Sequence, residues 1–270
     1  MSAGPGAVHA LLGRALPDEE LTLDDVTTCC FGPGSEVIGD DEAAVVVRFH
    51  DWGGYAAAWI LAVAVSPERQ RRGLGRDLVE QAVAWAGARG AHEVHLGAAI
   101  PRYLWPGVDF AYTPALCLFE AAGFEPDGFA YDMAIPTSFR ADPPPGITVE
   151  RELGTGAIDL TRRAYPQWED EVTRGIERGT VFAARADDGT TIGLAAHSVN
   201  RHGLIGPMAT DPARQSRGVG NALLAALCVD LAQLDGRSHA QISWIGPARF
   251  YAKAGATVSR VYLNAKRRPE

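Results

Sequence analysis

Two short stretches carry residues of the type and spacing that grip a bulky anion. Residues 62–76 run from an apolar segment through Ser66-Pro67-Glu68-Arg69-Gln70-Arg71-Arg72 into Gly73-Leu74-Gly75-Arg76. Residues 207–221 repeat the order, with Asp211-Pro212-Ala213-Arg214-Gln215-Ser216-Arg217 ahead of Gly218-Val219-Gly220-Asn221. Pro67 is answered by Pro212, Gln70 by Gln215, Gly73 by Gly218 and Gly75 by Gly220, at a constant offset of 145 (212 − 67 and 220 − 75). Glycine allows a turn that a Cβ would forbid, and the free N–H groups at a helix start favour negative charge. A bulky anion is the expected ligand, although Gly-x-Gly also opens helices that merely need close packing. Repetition in register across half the chain points to two copies of one domain. Leu78 at the third glycine position rules out the dinucleotide-binding fingerprint, and no Gly-Lys-Ser/Thr of a nucleotide-triphosphate loop is present.

Both stretches resemble the Gln/Arg-x-x-Gly-x-Gly/Ala pyrophosphate arm of the GCN5-related N-acetyltransferase (GNAT) family, which follows a strand and opens a long helix. The resemblance covers nearly the whole chain. It implies an α/β fold with mixed sheets, in two tandem GNAT domains, and acetyl-CoA-dependent N-acetyl transfer to a primary amine, borne by a small molecule or a peptide. It assigns coenzyme A binding to Val63, Val65, Gln70, Arg71, Arg72, Gly73, Leu74, Gly75 and Arg76 in the first copy. In the second copy the corresponding residues are Met208, Thr210, Gln215, Ser216, Arg217, Gly218, Val219 and Gly220. A splayed strand would leave N–H groups near Val63 or Val65, and near Met208 or Thr210, free to polarise the thioester carbonyl.

The copies are unequal. The family carries a tyrosine that protonates the departing thiolate, and Phe250-Tyr251-Ala252-Lys253-Ala254-Gly255 resembles that motif, so Tyr251 inherits the role of general acid. The competing reading is a core aromatic whose hydroxyl reaches the surface. Four residues before the glycine stand Tyr251 (255 − 4) and Phe119 (123 − 4), and a phenyl ring has no proton to give. Tyr103 and Tyr112 are nearby but not at the matching place. Seven residues before Tyr251, where the family often has an asparagine for the cofactor's arm, stands Trp244. The general base is open among His197, His202, Asp211 and a water chain. Catalysis is therefore expected in the C-terminal domain, with the N-terminal domain binding acyl-CoA or structural. The alternatives are a non-catalytic acyl-CoA-binding tandem module and a scaffold of paired halves.

Hydrophobic periodicity supplies the elements that position these residues. In the first copy it predicts helices over 8–16, broken at Gly13, and 21–31, strands over 35–38, 43–49 and 59–65, and a helix after Gly75 burying Leu78, Ala82 and Trp85 or Ala86. A strand over 93–98, a helix over 115–122 and a strand over 129–135 come next, and no strand precedes the first helix as the family has it. In the second copy it predicts a strand over 148–150, helices over 158–165 and 168–176, and a hairpin of 180–185 and 191–197 about Asp187-Asp188-Gly189. Then come a strand over 204–210, a helix from Val219 with Leu223, Leu227, Leu231 and Leu234 on its core face, a strand over 239–244, a helix over 247–254 and a strand over 258–265. Asp142-Pro143-Pro144-Pro145-Gly146 reads as a stiff linker, dividing the chain into 1–140, 141–146 and 147–270. Residues 1–6 are expected to lie outside regular structure.

From Gln70 to Gly123 is 53 positions and from Gln215 to Gly255 is 40, so the first copy holds about 13 extra residues, around 102–112. Their aromatics must pack on something, either the other domain or an acyl-donor or acceptor pocket. Arg69, Arg71, Arg72 and Arg76 against Arg214 and Arg217 favour a tighter grip on the cofactor's phosphates in the first copy, although exposed arginines beside a turn are usually just solvated.

The net charge of −8 and pI near 5.4 argue against nucleic-acid backbone binding and would tolerate a basic amine substrate. The longest apolar run, residues 55–65, is too short to span a bilayer and no signal-peptide order opens the chain, so no membrane partner and a cytoplasmic location are expected. A monomer or a homodimer is compatible with a tandem chain. Cys29, Cys30, Cys117 and Cys228 read as small buried side chains, and neither they nor His92 and His95 have metal-ligand spacing, so no metal is expected.

Overall fold

The computed structural model describes residues 3–51, 53–215 and 218–269, with the main chain alone at Asp235. The first repeat opens with α1 (Pro5–Ala15), where proline at the helix start needs no N–H partner, so regular structure begins earlier than expected. Gly13 does not break it. Then come α2 (Leu23–Cys30), β1 (Ser35–Gly39), β2 (Ala43–Asp51), β3 (Ala56–Val65), α3 (Leu74–Gly87), β4 (Glu93–Leu96), β5 (Val108–Asp109), α4 (Thr113–Ala121) and β6 (Glu125–Pro136). The second repeat holds β7 (Ile147–Arg151), α5 (Gly156–Ala164), α6 (Glu169–Glu177), β8 (Val181–Ala186), β9 (Thr191–His197) and β10 (Leu204–Thr210). It closes with α7 (Val219–Asp235), β11 (His239–Ile242), α8 (Ala248–Lys253) and β12 (Thr257–Arg267). The result is a mixed α/β architecture built twice.

The chain forms two compact units, Met1–Ala130 with Arg260–Glu270, and Tyr131–Ser259. In the first, β1, β2 and β3 pair antiparallel, β3 and β4 pair parallel, and the end of β12 pairs antiparallel with β4 and β5. Leu78, Val79, Ala82, Val83 and Ala86 of α3 bury against Val45, Val47, Ala58 and Ile60 on one face. Val8, Leu11 and Leu12 of α1 and Val26, Cys29 and Cys30 of α2 bury against Val46, Leu61, Ala62 and Ala64 on the other. Among the described residues no strand precedes α1, whereas in the second unit β7 opens the repeat and pairs with β8.

The second unit continues β8 to β9 to β10 antiparallel, then β10 to β11 parallel, and β11 pairs with the end of β6. Leu223, Leu224, Leu227, Cys228 and Leu231 of α7 form its larger core, while Leu160 and Val172 of α5 and α6 fill the opposite face. Leu234, expected on the core face, is 60% exposed because the helix runs past the sheet it covers. Cys117 also departs from expectation: it is exposed, whereas Cys29, Cys30 and Cys228 are buried.

The compact units differ from a linear cut at the proline segment in two places. Residues 131–140 belong with the second unit and 260–270 with the first. The cause is strand pairing: Met133 to Pro136 of β6 satisfy β11, and Lys266 and Arg267 of β12 satisfy β4. Each repeat's final strand therefore completes the other unit. Arg260, at the start of the returning segment, donates to Glu19 and Asp109, each 7% exposed.

These burials have measurable consequences. Arg260→Met leaves two carboxylates without their cation and should cost about 3–5 kcal/mol of stability in the first unit; a thermal unfolding midpoint equal to wild type would refute this. Glu171 of α6, 6% exposed, accepts a hydrogen bond from Asn200 Nδ2 at 3.0 Å, and desolvation pushes its carboxyl up to about 8. The raised folded value favours the protonated form, so its stabilising contribution is complete below the ordinary carboxyl value and is lost as pH rises through about 8. Glu171→Gln should flatten stability between pH 5 and 8, against a fall of order 3 kcal/mol in wild type measured by urea unfolding.

Candidate active site

Each unit builds a cleft at the same place, where a parallel strand pair comes apart. In the second unit β10 and β11 pair only at Leu204–Gln241 and Ile205–Ile242. A bulge against β9 follows between Ile205 and Met208, after which Met208, Ala209 and Thr210 pair with Ala195, Leu194 and Gly193. The Asp211 N–H donates to the Ile192 carbonyl, so antiparallel alternation turns Ala209 toward β9 and the main-chain groups of Met208 and Thr210 to the opened edge. In the first unit the β3–β4 pairing ends at Ile60–Leu96, a bulge falls between the Val46 and Val47 partners, and Ser66 N–H donates to Glu42. The same alternation directs the main chain of Val63 and Val65 to the open side. Side-chain parity records the bulge: Ala58 and Ile60 share a face with Val63 and Val65, not with Ala62 and Ala64.

From these edges the chain makes a 3-10 turn, Pro67–Arg69 or Pro212–Arg214, then reaches Gln70 or Gln215 at φ −62° and ψ 163° in both units. Gly73 (φ 88°) and Gly218 (φ 84°) come next, in the left-handed region, and start α3 and α7 with their first N–H groups uncapped by side chains. Arg71 also has positive φ, 61°. The second glycine does something else. A Cβ on Gly75 would sit 3.4 Å from Leu118 of α4, and one on Gly220 would sit 3.2 Å from Phe250 of α8. Leu118 and Phe250 thus occupy matching places, which fixes Phe119 as the counterpart of Tyr251.

The second cleft, about 810 Å³, is lined by Met208, Thr210, Gln215, Gly218, Gly220 and Tyr251, together with Tyr165, Asn221, Arg249 and Lys253 among others. Tyr251 is 8% exposed, its hydroxyl faces the Met208 Sδ at 3.9 Å, and burial pushes it up to about 12. Val219 does not reach the cleft with its side chain, which is 2% exposed in the α7 core. Ser216 and Arg217 lie outside the described residues. Among the described residues, positive charge in this cleft comes from Arg249 and Lys253, four apart on one face of α8, a spacing visible in the sequence.

The first cleft, about 640 Å³, gathers Val63, Val65, Gln70, Arg71, Gly73, Leu74, Gly75 and Arg76 with Arg69 and Phe119. Arg72 is exposed and is not part of its lining. Gln70 Nε2 donates to the Val65 carbonyl at 3.0 Å. The aromatic insertion packs within its own unit, with Trp105, Val108, Asp109 and Tyr112 lining this cleft and Leu104 buried in the α1–α2 core. Tyr112 donates to Glu19 at 3.2 Å and is pushed up to about 12, by burial first and by Glu19 next.

Two of the proposed bases are committed elsewhere. His197 is fully buried on β9, bonded through Nε2 to Asp230 at 2.7 Å and through Nδ1 to Ser198, with burial holding it below its ordinary value. Asp211 caps the 3-10 turn by accepting from the Ala213 N–H at 2.9 Å, a bond that also holds its carboxyl low, and it pairs with Arg163. His202 is exposed and is not part of the cleft lining. No helix among the described residues is long and apolar enough to cross a membrane, and no group of three His, Cys, Asp or Glu there is arranged to hold a metal.

The sequence profile of the acetyltransferase (GNAT) family matches residues 15–103 and 151–255, one segment in each repeat. The chain belongs to this family. Solved structures agree on the fold. A GCN5-related glucosamine N-acetyltransferase region of a fungal multi-domain GH3 β-N-acetylglucosaminidase superposes with TM-score 0.75 at 18% identity, covering 97% of this chain and 37% of that one. The chain thus spans little more than a third of that protein. A tandem GNAT protein from the clavulanic acid biosynthesis pathway superposes with TM-score 0.68 at 17% identity over 98% of this chain and 95% of that one. For a GCN5-related N-acetyltransferase from Sphaerobacter thermophilus the values are 0.66 and 18%, over 100% and 95%. The comparison with curated proteins gives no match. As a GNAT member the chain is an acetyltransferase carrying the fold twice.

Both clefts suit a pyrophosphate-bearing carrier: uncapped helix N–H groups and cationic side chains at one end, apolar walls, and an open strand edge at the other. A Cβ at Gly73 would meet open space, so only its φ restricts that position, while one at Gly218 would lie 3.3 Å from Pro144. Gly73→Val and Gly218→Val should each weaken coenzyme A binding at one turn tenfold or more, because a β-branched residue resists positive φ. Calorimetric titration of each variant and of the pair reads this out, and undiminished binding in the double variant contradicts the anion-turn assignment.

Proposed function

We propose that the second unit transfers an acetyl group from acetyl-CoA to a primary amine, and that the first unit binds acyl-CoA or is structural. The observation that carries this reading is one cleft holding three parts together: the glycine turn, the opened edge at Met208 and Thr210, and the Tyr251 hydroxyl. Acetyl-CoA supplies an activated acyl group as a thioester. Gln215, Gly218 and Gly220 would hold its pyrophosphate with Arg249 and Lys253, and in the first unit Gln70, Arg71, Gly73, Gly75 and Arg76 would do so. The main-chain N–H groups of Met208 and Thr210 face the reacting side and stabilise negative charge on an acyl oxygen without reorganising. Tyr251 keeps its proton throughout the working range, because burial holds its value near 12, and is available to a departing thiolate. Confining donor and amine to one cleft supplies orientation.

Phe119 favours the binding reading for the first unit, since it stands where Tyr251 does and donates nothing. On this reading the protein works in the cytoplasm, as a monomer or homodimer, on a small-molecule or peptide amine. The glucosamine acceptor of the fungal relative makes an amino sugar one member of the amine panel to assay. Tyr251→Phe should lower kcat about a hundredfold, within the range attributed to general acid catalysis, with donor affinity unchanged by calorimetry. Turnover equal to wild type would remove Tyr251 from the mechanism.

A further inference from the structure

The two units differ at the residue that closes the first-helix face of the opened edge. In the second unit this is Tyr165, the residue that ends α5. Its hydroxyl donates to the Thr210 carbonyl at 2.8 Å, and its ring stacks on Trp168 with centroids 5.1 Å apart and planes at 15°. Tyr165 and Trp168 pack with the α5–α6 core, whereas Met208 and Tyr251 belong to the α7–α8 core, so Tyr165 reaches the opened edge from the opposite face of the sheet. It lines the same cleft as Tyr251. In the first unit Leu16 ends α1 and lines that cleft, and the Val65 carbonyl is taken by Gln70 instead.

A tyrosine hydroxyl has one proton. At Tyr165 that proton is committed to Thr210, so toward any other group the oxygen offers lone pairs alone. It can accept from an N–H donor and has nothing to donate to an acceptor. We propose that Tyr165 Oη binds the amine substrate of the second unit, accepting one of its N–H bonds beside the Met208 and Thr210 main chain, and that the Trp168 stack holds the ring for this task. Leu16 leaves the matching place in the first unit without such a group. The inference rests on the second unit being the transferase and names the residue that would select an amine there.

Methylamine, the smallest primary amine, is the probe. With tyrosine labelled by 13C at Cζ and coenzyme A present, methylamine should shift the Tyr165 resonance saturably, the signal being identified by its loss in Tyr165→Phe. In acetyl transfer, Tyr165→Phe should raise the half-saturating methylamine concentration at least tenfold while that of acetyl-CoA stays at the wild-type value. A Tyr165 signal indifferent to methylamine, or equal methylamine dependence in the two proteins, overturns the assignment while leaving transfer itself intact. A wild-type protein that binds acetyl-CoA yet never outruns uncatalysed aminolysis overturns the transferase reading and this inference with it. Should Tyr165→Phe fail to fold, the Tyr165 signal is assigned by elimination, from Tyr→Phe variants of the other six tyrosines, and the labelled wild-type titration decides.

Discussion

Main-chain groups at the edge of a sheet must find partners, and the site exists because two strands are denied theirs. Parallel pairing of β3 with β4 and of β10 with β11 lasts only to Leu96 and Ile242. Bulges at the same point re-aim the strand residues beyond them, so that Val63, Val65, Met208 and Thr210 present main chain to a gap rather than to a neighbour. The cost of that exposure is limited by Gln70 on the Val65 carbonyl and Tyr165 on the Thr210 carbonyl. The N–H groups beside them remain directed at the cleft. Everything else in each unit serves to hold that gap open beside a helix start.

The repeats share this frame and diverge in what surrounds it. The first unit has the more cationic turn, an aromatic insertion folded into its own cleft, and a phenyl ring at the place of Tyr251. Its polar end depends on Arg260, carried in by the last strand, and Arg48 fastens the insertion by donating to the Ala99, Arg102 and Cys29 carbonyls. The second unit has a tyrosine on each side of the opened edge. Buried polar groups are used there for architecture: His197 with Asp230, and Glu152 with Arg185, tie strands to helix or to one another.

Much of this was legible in the residues. The constant offset between Pro67 and Pro212 carried the duplication, because a turn that needs positive φ at one glycine and close packing of a helix at another leaves few substitutes. The leucines of α7 announced a buried helix as far as Leu231, and the exposure of Leu234 shows where periodicity stops being informative: it reports a face, not how far the covering sheet extends. That Phe119 stands at the place of Tyr251 could be counted off from Gly123. Tyr165 gave no such signal, since a tyrosine ending a helix is common and its partner is a carbonyl 45 residues away.

Local chemistry within one repeat was thus determined by the sequence: the anion turn, the strand and helix order, the inequality of Phe119 and Tyr251. Tertiary structure alone decided which residues share a cleft, that Arg249 and Lys253 join the second one, and that His197 and Asp211 are spent on the scaffold. It also decided which strand completes which unit. The physical reason is range. Torsional preference and hydrophobic period act over a few residues and are written in order along the chain, whereas edge pairing and charge burial are settled between segments whose sequence distance says nothing about their separation in space.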